Sequence, residues 1–240
     1  MVGSRQSEDD AVRRALESTY CPERIRQARQ RQDAFLVERF RGQPLAILDV
    51  GCGDGYHGSL FAPSCTVYHG IEVAPALAGI ARERWAREGL GNAEVFLGDV
   101  TEVEMRARFY DVAWCLYFTP GNLRDVAEDL SVYDDAYLDR NPKFIGTMSR
   151  LKDALKIEGR IFLTIYKDVP EAEDDQIDFY EHTGQHVVTP RGSRFVATAE
   201  RFWSARWTKR SMLSNLTAAG LSPESVRFHD LNEIAWLVET

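Results

Sequence analysis

The sequence predicts an α/β domain built on a doubly wound, mostly parallel sheet. Three observations carry this. Short apolar runs alternate with helical stretches from Leu45 onward, the first run stops at an acidic glycine-rich loop, and the chain closes on two runs close enough to pair as an antiparallel hairpin. Strands separated by helices of this length imply right-handed crossovers and a sheet covered on both faces.

Each element follows in order. Ser7 and Asp10 form a loose capping pattern ahead of a short helix from Ala11 to Thr19. Pro22 opens a second helix whose apolar stripe runs through Ile25, Ala28, Phe35, Leu36 and Phe40, until Gly42 and Pro44 end it. Residues 1–43 therefore read as an N-terminal helical cap, and residues 44–240 as the main domain. Its strands are expected at Ala46–Leu48, Thr66–Ile71, Ala93–Leu97, Tyr110–Leu116 and Arg160–Tyr166. Helices are expected at about Pro75–Glu88, Lys143–Leu155 and Trp207–Ala219, with Ser225–His229 and Ile234–Val238 as the final hairpin. Residues 167–204 break the rhythm: acidic first, then Gly184, Pro190 and Gly192, then aromatic and basic. A long irregular insertion in a compact domain is usually functional or mobile, so this stretch is expected to cover a substrate, with a hairpin from Val187-Val188 and Phe195-Val196.

The bulk numbers narrow the function. The chain has 240 residues, enough for one sizeable core, and 44% hydrophobic with 28% charged residues is ordinary globular composition. No apolar run approaches the roughly 20 residues of a membrane span, and Met1 to Asp10 lacks the apolar stretch of a secretory signal. Cys21, Cys52, Cys65 and Cys115 include no CxxC pair, which suits a cytoplasmic protein without disulfides. The net charge of −8 argues against a nucleic-acid partner, which needs a basic face. The basic run at Arg201, Arg206, Lys209 and Arg210 reads as a solvated face.

The chemistry concentrates at Asp49-Val50-Gly51-Cys52-Gly53-Asp54-Gly55. Glycines after a strand permit a tight turn and close approach of a ligand across the carboxyl end of the sheet. Gly53 to Gly58 formally fits the GxGxxG dinucleotide fingerprint, but Asp49 and Asp54 would repel a pyrophosphate, and the fingerprint would start two residues late. S-adenosylmethionine, with a sulfonium and an ammonium in place of phosphates, suits these acids. Glu72, ending the second strand, can accept both ribose hydroxyls, and Asp99, after Gly98, can accept from an adenine amino group. The segment Trp114–Tyr117 should line the site beneath the sulfonium.

On these residues the chain resembles the class I, Rossmann-like S-adenosylmethionine-dependent methyltransferases, of the type acting on small molecules. The likeness is strongest over about residues 45–166, and Ile47 to Gly55 matches the family's first motif in full. The resemblance implies a seven-stranded sheet, S-adenosyl-L-methionine as cofactor and S-adenosyl-L-homocysteine as product. It also implies a cofactor-binding set of Asp49, Gly51, Cys52, Gly53, Gly55, Glu72, Val73, Asp99, Val100 and Leu116, with Tyr20 closing over from the cap. Leu155-Lys156-Ile157-Glu158-Gly159 departs from the family's usual turn before the fifth strand. The Asn-Pro-Pro-Tyr motif of many nucleobase and glutamine N-methyltransferases is replaced by Leu116-Tyr117-Phe118-Thr119-Pro120, which argues against DNA adenine or release-factor substrates.

The catalytic candidates are His186, as general base, and Tyr117, as pocket wall. His182 and His186 are four apart, but Gly184 between them opposes the helix a metal pair would need, so no metal is expected. The expected reaction is methyl transfer to N, O or C of a small molecule, in specialised metabolism. The alternative is a methyltransferase-fold protein that catalyses another displacement or elimination, or acts as a binding partner.

Overall fold

The computed structural model describes residues 20–126 and 129–240, so the helix expected at Ala11–Thr19 lies outside the described residues. Helix α1 (Glu23–Phe40) leads into strand β1 (Ala46–Val50), helix α2 (Tyr56–Phe61), strand β2 (Val67–Glu72), helix α3 (Pro75–Arg87), and strands β3 (Ala93–Leu97) and β4 (Tyr110–Cys115). Helices α4 (Asp135–Asp139) and α5 (Pro142–Ala154) precede the long strand β5 (Leu155–Lys167). Then come helix α6 (Pro170–His182), strands β6 (Phe195–Ala197) and β7 (Trp203–Trp207), helix α7 (Lys209–Ala218), and strands β8 (Arg227–Asn232) and β9 (Ala235–Glu239).

The sheet is centred on β1, buried at every residue, with β2 and β4 parallel on either side. Strand β3 pairs with β2 and β5 with β4, also in parallel. Strand β9 runs antiparallel to β5 over Phe162–Tyr166 and carries β8 on its outer edge. Alternate residues of each strand feed opposite faces, as the pleat dictates. Leu48, Cys115 and Leu163 meet Phe144, Met148, Leu151, Met212 and Leu216 of α5 and α7. Ile47, Trp114 and Phe162 meet Ile25 and Leu36 of α1, Phe61 of α2 and Ala81 and Trp85 of α3.

The expected seven strands become nine among the described residues. The two additions, β6 and β7, form an antiparallel hairpin that pairs in parallel with the tip of β5 through Tyr166↔Arg206 and Lys167↔Trp207. Trp207 therefore ends a strand, and the helix expected from Trp207 begins at Lys209, where Thr208 and Ser211 form a reciprocal capping box. The stretch 167–204 is ordered structure and not an irregular insertion. Pro170–His182 is helix, and Val187 and Val188 bond to Thr198 and Ala197 beside the β6–β7 hairpin. Arg201, Lys209 and Arg210 of the basic run are exposed, as a solvated face requires, but Arg206 is buried. Its guanidinium lies 3.6 Å from Asp168 and 3.5 Å from Glu173, and it donates to Gln176 at 2.8 Å.

Candidate cofactor and substrate site

At the carboxyl end of β1, β2 and β4 the chain surrounds a cavity of about 460 Å³. Gly51, Cys52, Gly53, Glu72, Val73, Asp99, Val100, Leu116 and Tyr117 all stand on its wall. The loop after β1 makes the floor. Gly51, Gly53 and Gly55 hold φ of +71°, +57° and +81°, the left-handed region that side chains rarely adopt. Their surroundings differ. A Cβ on Gly53 would meet nothing within 4 Å, so this backbone opens straight into the cavity, whereas one on Gly55 would strike Trp85 and Ala81. Gly55 does not line the cavity: its role is packing, and Trp85 Nε1 donates to its carbonyl at 2.8 Å.

Asp49 does not reach the cavity either. Its side chain lies beneath the loop, 1% exposed, and accepts a 2.6 Å hydrogen bond from the Tyr68 hydroxyl. Burial pushes its pKa above the usual carboxylate range. It supports the strand end from below, because the last inward-facing position of a fully covered strand has no access to solvent. Asp54 stands on the wall, but Arg84 donates to it at 2.7 Å, so its charge is largely neutralised.

Glu72 is the acid best placed for a ligand. One carboxylate oxygen accepts Gly53 N–H and the other Ala74 N–H, each at 2.9 Å. A carboxylate has about four lone-pair sites, so these two bonds fix its plane and leave acceptor capacity for a ligand. Burial raises its pKa, against the pull of those N–H groups. Asp99 accepts from Thr101 and from Lys143 Nζ, the latter at 2.6 Å. Burial would raise its pKa, but these donors win and hold it below the ordinary value.

The β4 side of the cavity is built differently. Tyr117 and Phe118 both have positive φ, +52° and +68°, which costs about 1–2 kcal/mol per residue for side-chain-bearing residues. The surroundings hold them there. Phe118 stacks on Tyr166 with centroids 3.7 Å apart, and Tyr117 N–H donates to Gln32 Oε1. The Tyr117 hydroxyl donates to Asp33 Oδ2 at 2.5 Å, and Nε2 of His57 lies 3.0 Å from Asp33 Oδ1. Helix α1 thus ties two ring-bearing wall residues, His57 and Tyr117, to one carboxylate. His57 had no assigned role in the sequence, since its partner Asp33 is distant in the chain.

Two expected site residues are elsewhere. Tyr20 stacks on His182 at 3.9 Å and hydrogen-bonds Asp178, because α6 occupies the side from which it was to close. His186 is 80% exposed and bound to Glu200 at 2.7 Å, so it faces solvent and not the cavity. Thr119, Asn122, Arg124, Lys143 and Phe202 also line the cavity and gave no local sequence signal. Phe202 brings the β6–β7 hairpin to the site.

No helix among the described residues is long and apolar enough to cross a membrane. The profile of the methyltransferase domain family matches residues 47–131, the stretch holding the loop, Glu72, Asp99 and Tyr117. Protein-L-isoaspartate O-methyltransferase of Magnetococcus marinus is 37% identical over 60 residues, 25% of this chain and 26% of that protein. The aligned stretch thus spans about a quarter of that relative's length. Solved structures match over the whole fold. DhpI in complex with SAH aligns over 100% of this chain and 97% of its own, with TM-score 0.61 and 15% identity. Magnesium protoporphyrin IX methyltransferase from Synechocystis PCC 6803 aligns over 96% and 92%, with TM-score 0.57 and 16% identity. The 1,6-didemethyltoxoflavin-N1-methyltransferase of Burkholderia thailandensis aligns over 90% and 77%, with TM-score 0.55 and 15% identity. The chain shares its fold with these methyltransferase structures, and its residues 47–131 match the methyltransferase domain family.

Proposed function

We propose that the protein transfers a methyl group from S-adenosylmethionine to a nitrogen, oxygen or carbon of a small molecule. The observation that carries this is Glu72, whose two loop N–H bonds orient a half-satisfied carboxylate at the rim of a cavity floored by the open backbone of Gly53. Glu72 would take the ribose hydroxyls, and Asp99 the adenine amino group. Leu116 and Tyr117 would then lie beside the sulfonium. When bound, the cofactor supplies a methyl carbon activated by a positively charged sulfur leaving group.

The chain's own task is alignment, which contributes most of the gain in a displacement of this kind. The strained Tyr117-Phe118 turn fixes the wall against which the acceptor packs. His57, with Nε2 on Asp33, is the wall group suited to take a proton at Nδ1 from an acceptor hydroxyl or amine, the role expected of His186. Among the relatives, one is named for a porphyrin and one for a didemethyltoxoflavin, and their shared fold supports a small-molecule acceptor here. Specialised metabolism is the setting we favour, and the cytoplasm the compartment.

The test is turnover. Protein with methyl-labelled S-adenosylmethionine is incubated with panels of phenols, amines and activated-carbon acceptors. Label transfer to a small-molecule acceptor, lost in Glu72→Ala, supports the reading. A cofactor-loaded protein that labels none of the panels but methylates a macromolecule would contradict the small-molecule part.

A further inference from the structure

Three basic side chains stand on the cavity wall, and two of them have an acid. His57 lies on Asp33, and Lys143 donates to Asp99 at 2.6 Å. The third, Arg124, makes no ion pair among the described residues. It is held in place all the same. One guanidinium nitrogen donates to the Tyr133 hydroxyl at 2.7 Å and another to the Arg201 carbonyl at 3.0 Å. The guanidinium carbon lies 5.2 Å from the Tyr133 ring centroid and 5.7 Å from that of Trp203. The Tyr133 hydroxyl gives its own proton to the Asp125 carbonyl, which leaves its oxygen to accept from Arg124. All these partners are neutral, so they fix the group without cancelling its charge. A guanidinium has five N–H donors, and two such bonds leave donor capacity for a ligand.

The place of Arg124 in the fold separates it from the acids given to the cofactor. In the sheet order β3-β2-β1-β4-β5-β7-β6, Asp99 and Glu72 stand at the ends of β3 and β2, whereas Arg124 follows β4. Phe202, in the turn between β6 and β7, stands on the same wall. The Arg201 carbonyl that accepts from Arg124 belongs to that turn, so the cation and the ring are tied together across 77 residues of sequence. We infer that Arg124 and Phe202 form the recognition site for the methyl acceptor, and that they select a planar small molecule carrying an anionic oxygen group, a carboxylate or a phosphate. The guanidinium takes the anion through charge-assisted, directional hydrogen bonds, and the Phe202 ring covers the apolar body. This rests on the cofactor reading above, which assigns the β3 and β2 side of the cavity to S-adenosylmethionine.

Calorimetry on the wild type, Arg124→Gln, Arg124→Lys and Phe202→Ala tests this. S-adenosylhomocysteine is titrated first. Benzoate, phenyl phosphate and the neutral benzamide are then titrated onto each protein, both loaded with S-adenosylhomocysteine and free. S-adenosylhomocysteine should bind all four proteins equally, which also certifies their folding. The wild type should prefer benzoate or phenyl phosphate to benzamide by about tenfold or more, as for one charged hydrogen bond. Arg124→Gln should lose that preference while keeping its affinity for benzamide, and Arg124→Lys should keep part of it. Phe202→Ala should weaken anions and amide alike. A wild type without preference for the anions overturns the inference. So does an Arg124→Gln protein that keeps the preference, or one that weakens S-adenosylhomocysteine, which would place Arg124 on the cofactor. Unchanged binding in Phe202→Ala removes the ring from the site and overturns that half. Failure of the wild type to bind S-adenosylhomocysteine strikes the cofactor reading instead, and the titrations on the free protein then still decide whether Arg124 selects an anion.

Discussion

The Tyr117 hydroxyl donates to Asp33 Oδ2 at 2.5 Å, joining residues 84 apart in the chain. This bond links α1 to the strained end of β4, and so couples the N-terminal helix to the cavity wall. Tyr117→Phe leaves the Asp33 carboxylate short of a donor. The expected loss is about 1–3 kcal/mol, or roughly 2–10 °C in melting temperature for a domain of this size. Asp33→Asn combined with Tyr117→Phe should cost less than the sum of the single changes. Thermal unfolding of the four proteins checks this, and strict additivity would deny the coupling.

Gly53 of the loop and Gly58 of helix α2 should respond oppositely to the same substitution. Gly53→Ala places a methyl in open cavity space at φ +57°. It should cost only about 1 kcal/mol of stability but weaken S-adenosylhomocysteine binding at least about tenfold. Gly58→Ala drives its methyl to within 2.3 Å of the Trp85 ring. It should cost about 1–3 kcal/mol by overpacking, yet keep its affinity where folded. Paired melting and calorimetry separate a ligand cradle from a packing contact.

His186 has a structural part in place of a catalytic one. Burial alone would raise the pKa of Glu200, but the ring and backbone N–H of His186 bring it from 4.5 down to about 2. A folded-state pKa below the unfolded one stabilises the protein above the unfolded value, and the benefit disappears as pH falls through the folded value. His186→Ala should therefore melt below wild type at pH 6, with the gap closing between about pH 4.5 and pH 2. Its methyl-transfer rate should match wild type; a large loss of turnover would return His186 to the site.

Arg206 holds Asp168 and Glu173 apart in a buried cluster behind the β6–β7 hairpin. Arg206→Ala takes the ion pair from Glu173 and leaves Asp168 with Arg194 alone, 3.5 Å away, and should cost about 3–5 kcal/mol. Because the hairpin carries Phe202 to the cavity, protease cleavage within residues 186–202 should also accelerate. Wild-type stability in this variant would show that the cluster does not hold the hairpin.

What the sequence disclosed about the site depended on distance along the chain. Glu72 and Asp99 were legible because each lies at or just after a strand end, where the sheet itself places it. Asp49 obeys the same rule, yet its position on β1 turns it inward, a matter of side-chain direction that the motif does not encode. The helix Pro170–His182 was hidden by its acids. Glu173 and Asp175 suggest a solvated loop until Arg206 and Arg24 are seen to pair with them. The β6–β7 hairpin, Lys143 and Phe202 were hidden for the same reason, since contacts across the fold bring them to the site. From β1 to β5 and in the final hairpin the alternation of strands and helices was legible, being a local pattern.

The most direct test is a calorimetric titration of the wild-type protein and Glu72→Ala with S-adenosylhomocysteine. The account predicts one site per chain with micromolar affinity in the wild type, and at least about a tenfold weakening in a Glu72→Ala protein that still folds. No binding to the wild type, or equal binding to both, would contradict the assignment of this cavity to the cofactor.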